Sequence, residues 1–238
     1  MENRVVLITG SSRGIGKDIA LKFAGSGADV AIHYLGDRKS ALGVARTVRD
    51  KGGRSAVFRA DLTKERDAAS LIRRVQEKFG RIDVLVNNVG PLHSKPWEET
   101  TTAEWEAILR SNLMSALFCM RAVLPDMRKK KWGRIINLGY SRVEQLSAYS
   151  QITPYAIAKT GLLILTRSVA ASEADSKITV NMVSPGLMEG GDLPKNTRIP
   201  AGRLGRYEDV SSSVLFLASD DAGYITGTNL IVAGGWKL

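Results

Sequence analysis

Cysteine is almost absent: Cys119 is the one thiol among 238 residues, so no internal disulfide can form. It falls within an apolar helical pattern, where a thiol serves as a small core side chain. Histidine is nearly as scarce. His33 and His93 stand far apart, with no ligand-spaced Cys or His beside either, so neither points to a metal centre. Both read as surface or pocket-edge residues. No apolar run approaches the roughly 18 residues of a membrane span. The start, Met1-Glu2-Asn3-Arg4, leads straight into a strand without the basic and apolar regions of a signal peptide. A soluble, cytoplasmic chain is the expectation.

Acidic residues are also short in supply, 24 against 34 Lys and Arg, leaving a net charge of +10. That surplus would attract something anionic: nucleic acid, a phosphorylated cofactor or an acidic carrier protein. Its densest cluster, Arg128-Lys129-Lys130-Lys131 followed by Arg134, lies between a helix and a strand. Cations at a solvated helix end are favoured by the macrodipole, which is the plainer reading of the cluster. No aromatic-interleaved basic strand or recognition-helix pattern supports nucleic acid.

What the chain does have is alternation. Strand-like runs occur at Val5 to Thr9, Val30 to Tyr34, Ala56 to Arg59, Val84 to Val86, Ile135 to Leu138, Ile178 to Val183 and Leu230 to Val232. About six amphipathic helices separate them. Nearly continuous β-branched runs suit strands covered on both faces, and the alternation predicts right-handed βαβ units. The fold class expected is α/β: one Rossmann-type domain over 1–238, a doubly wound seven-stranded parallel sheet with helices on both faces, a three-layer sandwich. Thr101 and Glu104 have capping-box spacing ahead of a long helical pattern reaching Met127. Thr153-Pro154 offers a cap followed by proline at the first helical position. The stretch 187–200, with Gly190, Gly191 and Pro194, reads as a loop placed like a lid.

Thr9-Gly10-Ser11-Ser12-Arg13-Gly14-Ile15-Gly16 follows the first strand and opens the first helix. Gly10 suits a tight turn, Gly14 a close approach to a diphosphate and Gly16 close helix–strand packing, with the helix N-terminus facing the anion. Gly10, Ser12, Arg13, Gly14, Ile15 and Gly16 are therefore expected among the cofactor-binding residues, with Tyr34 at the end of the second strand. No carboxylate occupies that strand end to grip a ribose 2′-hydroxyl, although Asp37 follows shortly. Arg13, with Arg38 or Lys39, offers cations for a 2′-phosphate, so NADP is expected ahead of NAD.

Tyr155 and Lys159 lie four residues apart on a predicted helix, hence on one face and one turn apart. A free tyrosine has a pKa of about 10, and a neighbouring ammonium together with the positive nicotinamide of an oxidised cofactor would lower it by favouring the phenolate. That pair suggests a phenol prepared to move a proton.

With the glycine turn, Asn87-Asn88-Val89-Gly90, Asn112, Tyr155 to Lys159, Asn181-Met182-Val183-Ser184-Pro185-Gly186 and Ile225-Thr226-Gly227-Thr228-Asn229 in order, the chain resembles the short-chain dehydrogenases/reductases over almost its whole length. Within that family it is most similar to 3-oxoacyl-[acyl-carrier-protein] reductases, through segments such as Ile199 to Gly205 and Phe216 to Asp220. The resemblance implies that Asp61 and Leu62 lie against adenine, that Asn88 and Gly90 line the cofactor channel, and that Pro185, Gly186 and Met188 flank the nicotinamide. Tyr155 would be the general acid, Lys159 would also hold the nicotinamide ribose, and Asn112 would hold a water that resupplies the proton. A homodimer through the helices near Thr102 and Pro154, and a homotetramer using the strand near Leu230, are implied likewise. With a carrier-bound substrate, the charges of Lys129, Lys130 and Lys131 would help to dock the acidic acyl carrier protein.

Two departures bear on function. The family serine after the fifth strand aligns with Tyr140 from one side and Arg142 from the other, which leaves Ser141 as the expected donor to the substrate oxygen and the Tyr140 hydroxyl as its rival. Gly190 stands where many relatives carry threonine. The expected function is reduction of a ketone, best a 3-oxoacyl thioester. A sugar, a pterin or a secondary metabolite is the alternative within the family, and an NADP-binding sensor with little turnover is the alternative of another class.

Overall fold

The computed structural model describes residues 1–190 and 198–236. Seven strands form one parallel sheet: β1 (Val5–Ile8), β2 (Asp29–Tyr34), β3 (Ser55–Arg59), β4 (Val84–Asn87), β5 (Gly133–Leu138), β6 (Ile178–Pro185) and β7 (Asn229–Val232). Their order across the sheet is β3-β2-β1-β4-β5-β6-β7. Seven α-helices accompany them: α1 (Gly14–Gly25), α2 (Arg38–Asp50), α3 (Glu65–Phe79), α4 (Thr102–Leu109), α5 (Ser115–Lys130), α6 (Thr153–Glu173) and α7 (Tyr207–Ala218).

Alternating side chains of the central strands feed two cores. Val5 and Leu7 of β1 join one, with α3, α5 and α6, while Val6 and Ile8 join the other, with α1, α2 and α7. This two-sided burial is why the strands read as unbroken apolar runs. The chain runs from β1 outward to β2 and β3, then returns to place β4 on the other side of β1. Parallel sheets open a ligand crevice at such a switch point, beyond the strand C-termini. Those ends carry the glycine turn after β1, Asn88 after β4, Gly139 to Ser141 after β5 and Gly186 after β6.

Several local expectations are corrected. The helical pattern from Thr102 to Met127 is two α-helices, because Arg110–Met114 forms a π-helical turn, and this accounts for a seventh helix among the described residues. The capping box of Thr101 and Glu104 is present as expected. Thr153 is instead the first residue of α6, with Ile152 at the N-cap position and no side-chain cap, and its hydroxyl donates to the Tyr149 carbonyl. The segment Thr102–Lys130 is long and apolar enough to cross a membrane by length and composition, contrary to the sequence reading. It packs against α3, α6, β4 and β5, so its apolar face is used within the fold. Of the expected lid 187–200, residues 191–197 lie outside the described residues.

Candidate active site

The turn after β1 is built for close approach. Gly10 and Gly14 adopt φ of 64° and 55°, which favours glycine. A Cβ on Gly16 would come within 2.6 Å of Asn88 Nδ2, so only glycine permits this packing. Arg13 is the N-cap of α1 and offers no side-chain cap, so the first N–H groups of the helix remain for an anion. Asn88 ties the turn to β4: its Nδ2 donates to the carbonyls of Thr9 (2.9 Å) and Gly10 (3.0 Å), and its N–H donates to Thr9 Oγ1. Ser12 and Ile15 are half-buried in the same turn.

His33 is not at the surface or a pocket edge. It is 2% exposed, its Nδ1 accepts from the Gly10 N–H at 2.9 Å, and its Nε2 lies 3.1 Å from the Ala60 carbonyl. Burial pushes its pKa down to about 4. The signal available was its position inside the apolar run of β2, where the period of two puts it on the same covered face as Ala31. His93 is half-buried, with its Nε2 enclosed.

Tyr34 is buried beyond the turn, whereas Asp37, Arg38, Lys39 and Arg13 are all exposed around it. Asp37 caps α2 by accepting from the Ser40 N–H at 2.9 Å, and that hydrogen bonding holds its carboxyl below the usual range. Asp61 accepts from the Thr63 hydroxyl at 2.6 Å and pairs with Lys64 at 3.3 Å. The Thr63 hydrogen bond lowers its pKa, so in this state its carboxylate stabilises the turn before α3. Leu62 is buried in the core on the α3 side.

Tyr155 and Lys159 sit on the inner face of α6, 9% and 2% exposed. Lys159 Nζ lies 5.8 Å from the Tyr155 ring centroid and donates to the Leu138 carbonyl at 2.7 Å. Gly90 makes room for it, since a Cβ there would be 2.7 Å from Lys159 Nζ and in collision with Asn112 Oδ1. Asn112 lies in the π-helical turn, whose extra residue per turn offsets the helix locally. Its Nδ2 donates to the Pro91 and Ile108 carbonyls, both at 3.2 Å, while its Oδ1 is buried without a partner. Ser141 extends the β5 pairing, its N–H donating to the Pro185 carbonyl at 2.9 Å, and its Oγ is also buried and unpartnered. The Tyr140 hydroxyl is unpartnered as well, and its ring packs edge-on against Tyr155, centroids 5.5 Å apart.

Burial raises the Tyr155 pKa above the ordinary phenol value and lowers that of Lys159 to about 8. The lowering expected from the sequence needed the positive nicotinamide of an oxidised cofactor as well as Lys159, and the chain alone supplies only the second. Desolvation of a nearly enclosed phenol outweighs an ammonium 5.8 Å away that is itself desolvated. Across the crevice, Gly186 is pressed against Ala233, where a Cβ would stand 2.7 Å from the alanine Cβ. Met188 bridges to Gly205.

Two features escaped the sequence reading. Arg142 stacks its guanidinium 4.7 Å from the Tyr149 ring centroid, and Tyr149 meets Tyr140 at 6.2 Å, extending an aromatic wall from Tyr155. An apolar groove of about 730 Å³, lined by residues including Trp97, Leu146, Tyr149, Ile157 and Ile164, runs along α6. The basic cluster lies at the opposite edge of the sheet from the site. Lys131 ends α5 just before Gly133 begins β5, so the length of β5, roughly 17 Å at 3.3 Å per residue, separates it from the C-terminal edge. There Lys130 pairs with Asp126, and Arg128 pairs with Glu173.

The glycine turn, its capless helix N-terminus and the enclosed, unpartnered Asn112 Oδ1 and Ser141 Oγ fit a dinucleotide and a carbonyl substrate lying across the strand ends. Comparison with known proteins gives the family. Residues 10–237 match the family described as Enoyl-(Acyl carrier protein) reductase. The chain is 38% identical over 250 residues to the 3-oxoacyl-[acyl-carrier-protein] reductase of Haemophilus influenzae, covering 100% of both chains. It is 36% identical over 247 residues to a (2S)-[(R)-hydroxy(phenyl)methyl]succinyl-CoA dehydrogenase subunit of Thauera aromatica, covering 100% of this chain and 98% of that one. Among solved structures, a dehydrogenase/reductase of Sinorhizobium meliloti superposes with a TM-score of 0.92 at 31% identity, over 100% of this chain and 96% of the other. Acetoin dehydrogenase of Salmonella typhimurium gives 0.88 at 30%, over 98% and 95%. The chain belongs to the short-chain dehydrogenase/reductase family, enzymes acting on CH–OH and C=O groups.

Proposed function

We propose that this protein is a cytoplasmic, NADP-dependent ketoreductase that converts a 3-oxoacyl thioester to the secondary alcohol, with Tyr155 as general acid. The observation that carries the reading is the convergence of the buried Tyr155–Lys159 pair with the unpartnered Asn112 Oδ1 and Ser141 Oγ at the strand ends. Gly10, Ser12, Arg13, Gly14, Ile15 and Gly16 hold the diphosphate on the N-terminus of α1, and Asn88 fixes the turn from behind. Arg13, with Arg38 or Lys39, would receive the 2′-phosphate, while Asp37 caps α2 through one carboxylate oxygen. Tyr34, Asp61 and Leu62 border the adenosine, while Gly90, Pro185, Gly186 and Met188 border the nicotinamide. When bound, NADPH supplies the hydride.

Chemistry at the oxygen belongs to the chain. Ser141 Oγ donates a hydrogen bond to the substrate carbonyl, and the Tyr155 hydroxyl gives up its proton as negative charge grows there. The raised pKa of Tyr155 keeps it protonated at neutral pH, which is the form that reduction requires. The Lys159 ammonium, positioned by Leu138 O, stabilises the phenolate left behind, and Asn112 Oδ1 orders the water that restores its proton.

Acyl carrier protein is the expected bearer of the thioester, by likeness to the Haemophilus reductase. A coenzyme A thioester is the second reading, favoured by the distance of Lys129, Lys130 and Lys131 from the site and by the Thauera relative. The exposed Ile157 and Ile164 of α6 suit a homodimer, and the edge strand β7 suits the second contact of a homotetramer. The test is turnover of 3-oxoacyl substrates on carrier protein and on coenzyme A with NADPH and NADH. Tyr155→Phe is expected to abolish turnover with NADPH binding intact, and an active Tyr155→Phe enzyme would end this reading.

A further inference from the structure

His33 stands where β2 meets both the glycine turn and the end of β3, and each polar atom of its ring meets a backbone group. A neutral imidazole has one acceptor and one donor nitrogen. The Gly10 N–H, 2.9 Å from Nδ1, requires that nitrogen to accept, so Nε2 carries the hydrogen and donates to the Ala60 carbonyl at 3.1 Å. The Ala60 N–H is in turn fixed on the Tyr34 carbonyl at 3.3 Å. The main chain of His33 reinforces the junction: its N–H donates to Ser11 Oγ at 3.2 Å, and its carbonyl accepts from the Ser11 N–H at 3.0 Å. Ser11 Oγ donates to the Ile8 carbonyl at 2.8 Å.

The plain alternative is a satisfied core histidine. Its partners argue otherwise. Gly10, at φ 64°, is the residue where the chain leaves β1, and the orientation of its peptide sets the direction of the amides that follow through Gly14. Those amides are the anion donors of the cleft. An apolar side chain would fill the same space but leave the half-buried Gly10 N–H without this acceptor, free to seek another.

We propose that His33 is a positioning residue for the cofactor: Nδ1 holds the phosphate-binding turn in its binding shape, and the Ala60 carbonyl fixes the tautomer that makes Nδ1 an acceptor. This rests on the dinucleotide reading of the site. It is distinct from contact with the cofactor, because the ring is enclosed beneath the turn.

Two substitutions separate the nitrogens. The Asn Oδ1 falls where Nδ1 was and can accept from Gly10, while the Gln Nε2 falls where Nε2 was and can donate only to Ala60. NADPH dissociation constants, measured by fluorescence titration without substrate, are expected to rise about tenfold in His33→Gln and His33→Leu, and to stay within about threefold of wild type in His33→Asn. Thermal unfolding of each variant supplies the structural control. Equal weakening in the Asn and Gln variants, or unchanged NADPH affinity in Gln and Leu variants that merely melt lower, would make His33 a packing residue and overturn the proposal. Wild-type protein that binds neither NADPH nor NADH would overturn the dinucleotide reading itself, and this proposal with it.

Discussion

Lys159 reaches the floor of the crevice and bonds the Leu138 carbonyl at 2.7 Å, leaving its ammonium 5.8 Å from the centre of the Tyr155 ring. Both side chains are desolvated, and burial acts on them in opposite senses: the phenol holds its proton more tightly and the ammonium less. The first group to lose a proton as pH rises is therefore the lysine.

This fixes the pH dependence of reduction. With the Lys159 pKa lowered to about 8, kcat/KM for carbonyl reduction is expected to be level between about pH 6 and 7 and to fall as pH rises through about 8, because the ammonium that stabilises the developing phenolate is lost. Tyr155, shifted upward, does not set that limb. A pH–rate profile of the free enzyme at low substrate concentration reads it directly. A rate that stays level to pH 10 would remove Lys159 from this role.

Ser141 and Tyr140 make a second test. Both hydroxyls are enclosed without partners, but the Ser141 backbone is anchored to the Pro185 carbonyl, between β5 and β6, whereas Tyr140 packs by its ring edge on Tyr155. Ser141→Ala is expected to lower kcat about a hundredfold, the loss of one oxyanion donor. Tyr140→Phe keeps the ring packing and is expected to cost only a few-fold. Steady-state kinetics of both variants decide the matter, and the reverse ranking would make Tyr140 the donor.

The sheet was legible because burial on two faces writes strands as apolar runs: Val5 to Ile8 and Ile135 to Leu138 are readable without any partner in view. Tyr155 and Lys159 were placed on one helical face by spacing alone. Other features depend on tertiary context. The π-helical turn that carries Asn112 interrupts a pattern whose apolar spacing looks continuous. His33 looked polar and peripheral because its two partners are backbone atoms of Gly10 and Ala60, which no side-chain motif records. The direction of the Tyr155 shift depends on how much water burial removes, and a four-residue spacing carries no information about that.

The basic cluster yields a prediction by position. Lys129, Lys130 and Lys131 end α5 at the edge where β5 begins, while Tyr155 works at the edge where it ends. Replacing the three lysines by glutamate is expected to leave kcat/KM with a carrier-bound substrate within about twofold of wild type at physiological salt, since exposed charges beyond a Debye length of about 8 Å are screened. A loss of tenfold or more, reversed by added salt, would restore these lysines as a docking surface.

The stability of the fold should carry the signature of His33. Its pKa is about 4 in the folded protein against 6.5 for the ordinary group, so on acidification the unfolded chain takes up the proton first. Its contribution is fully present above about pH 6.5 and is lost as pH falls toward 4, amounting to about 3 kcal/mol over the whole window and about 2 kcal/mol between pH 7.5 and 5. Urea unfolding at pH 7.5 and 5 measures it as a difference between wild type and His33→Asn, which cannot titrate there. The wild type should lose about 2 kcal/mol more than the variant over that interval, since other titrating groups are common to both. Parallel losses in the two proteins would mean that the folded and unfolded rings take up the proton alike, so that burial and the Gly10 and Ala60 contacts do not hold the imidazole neutral.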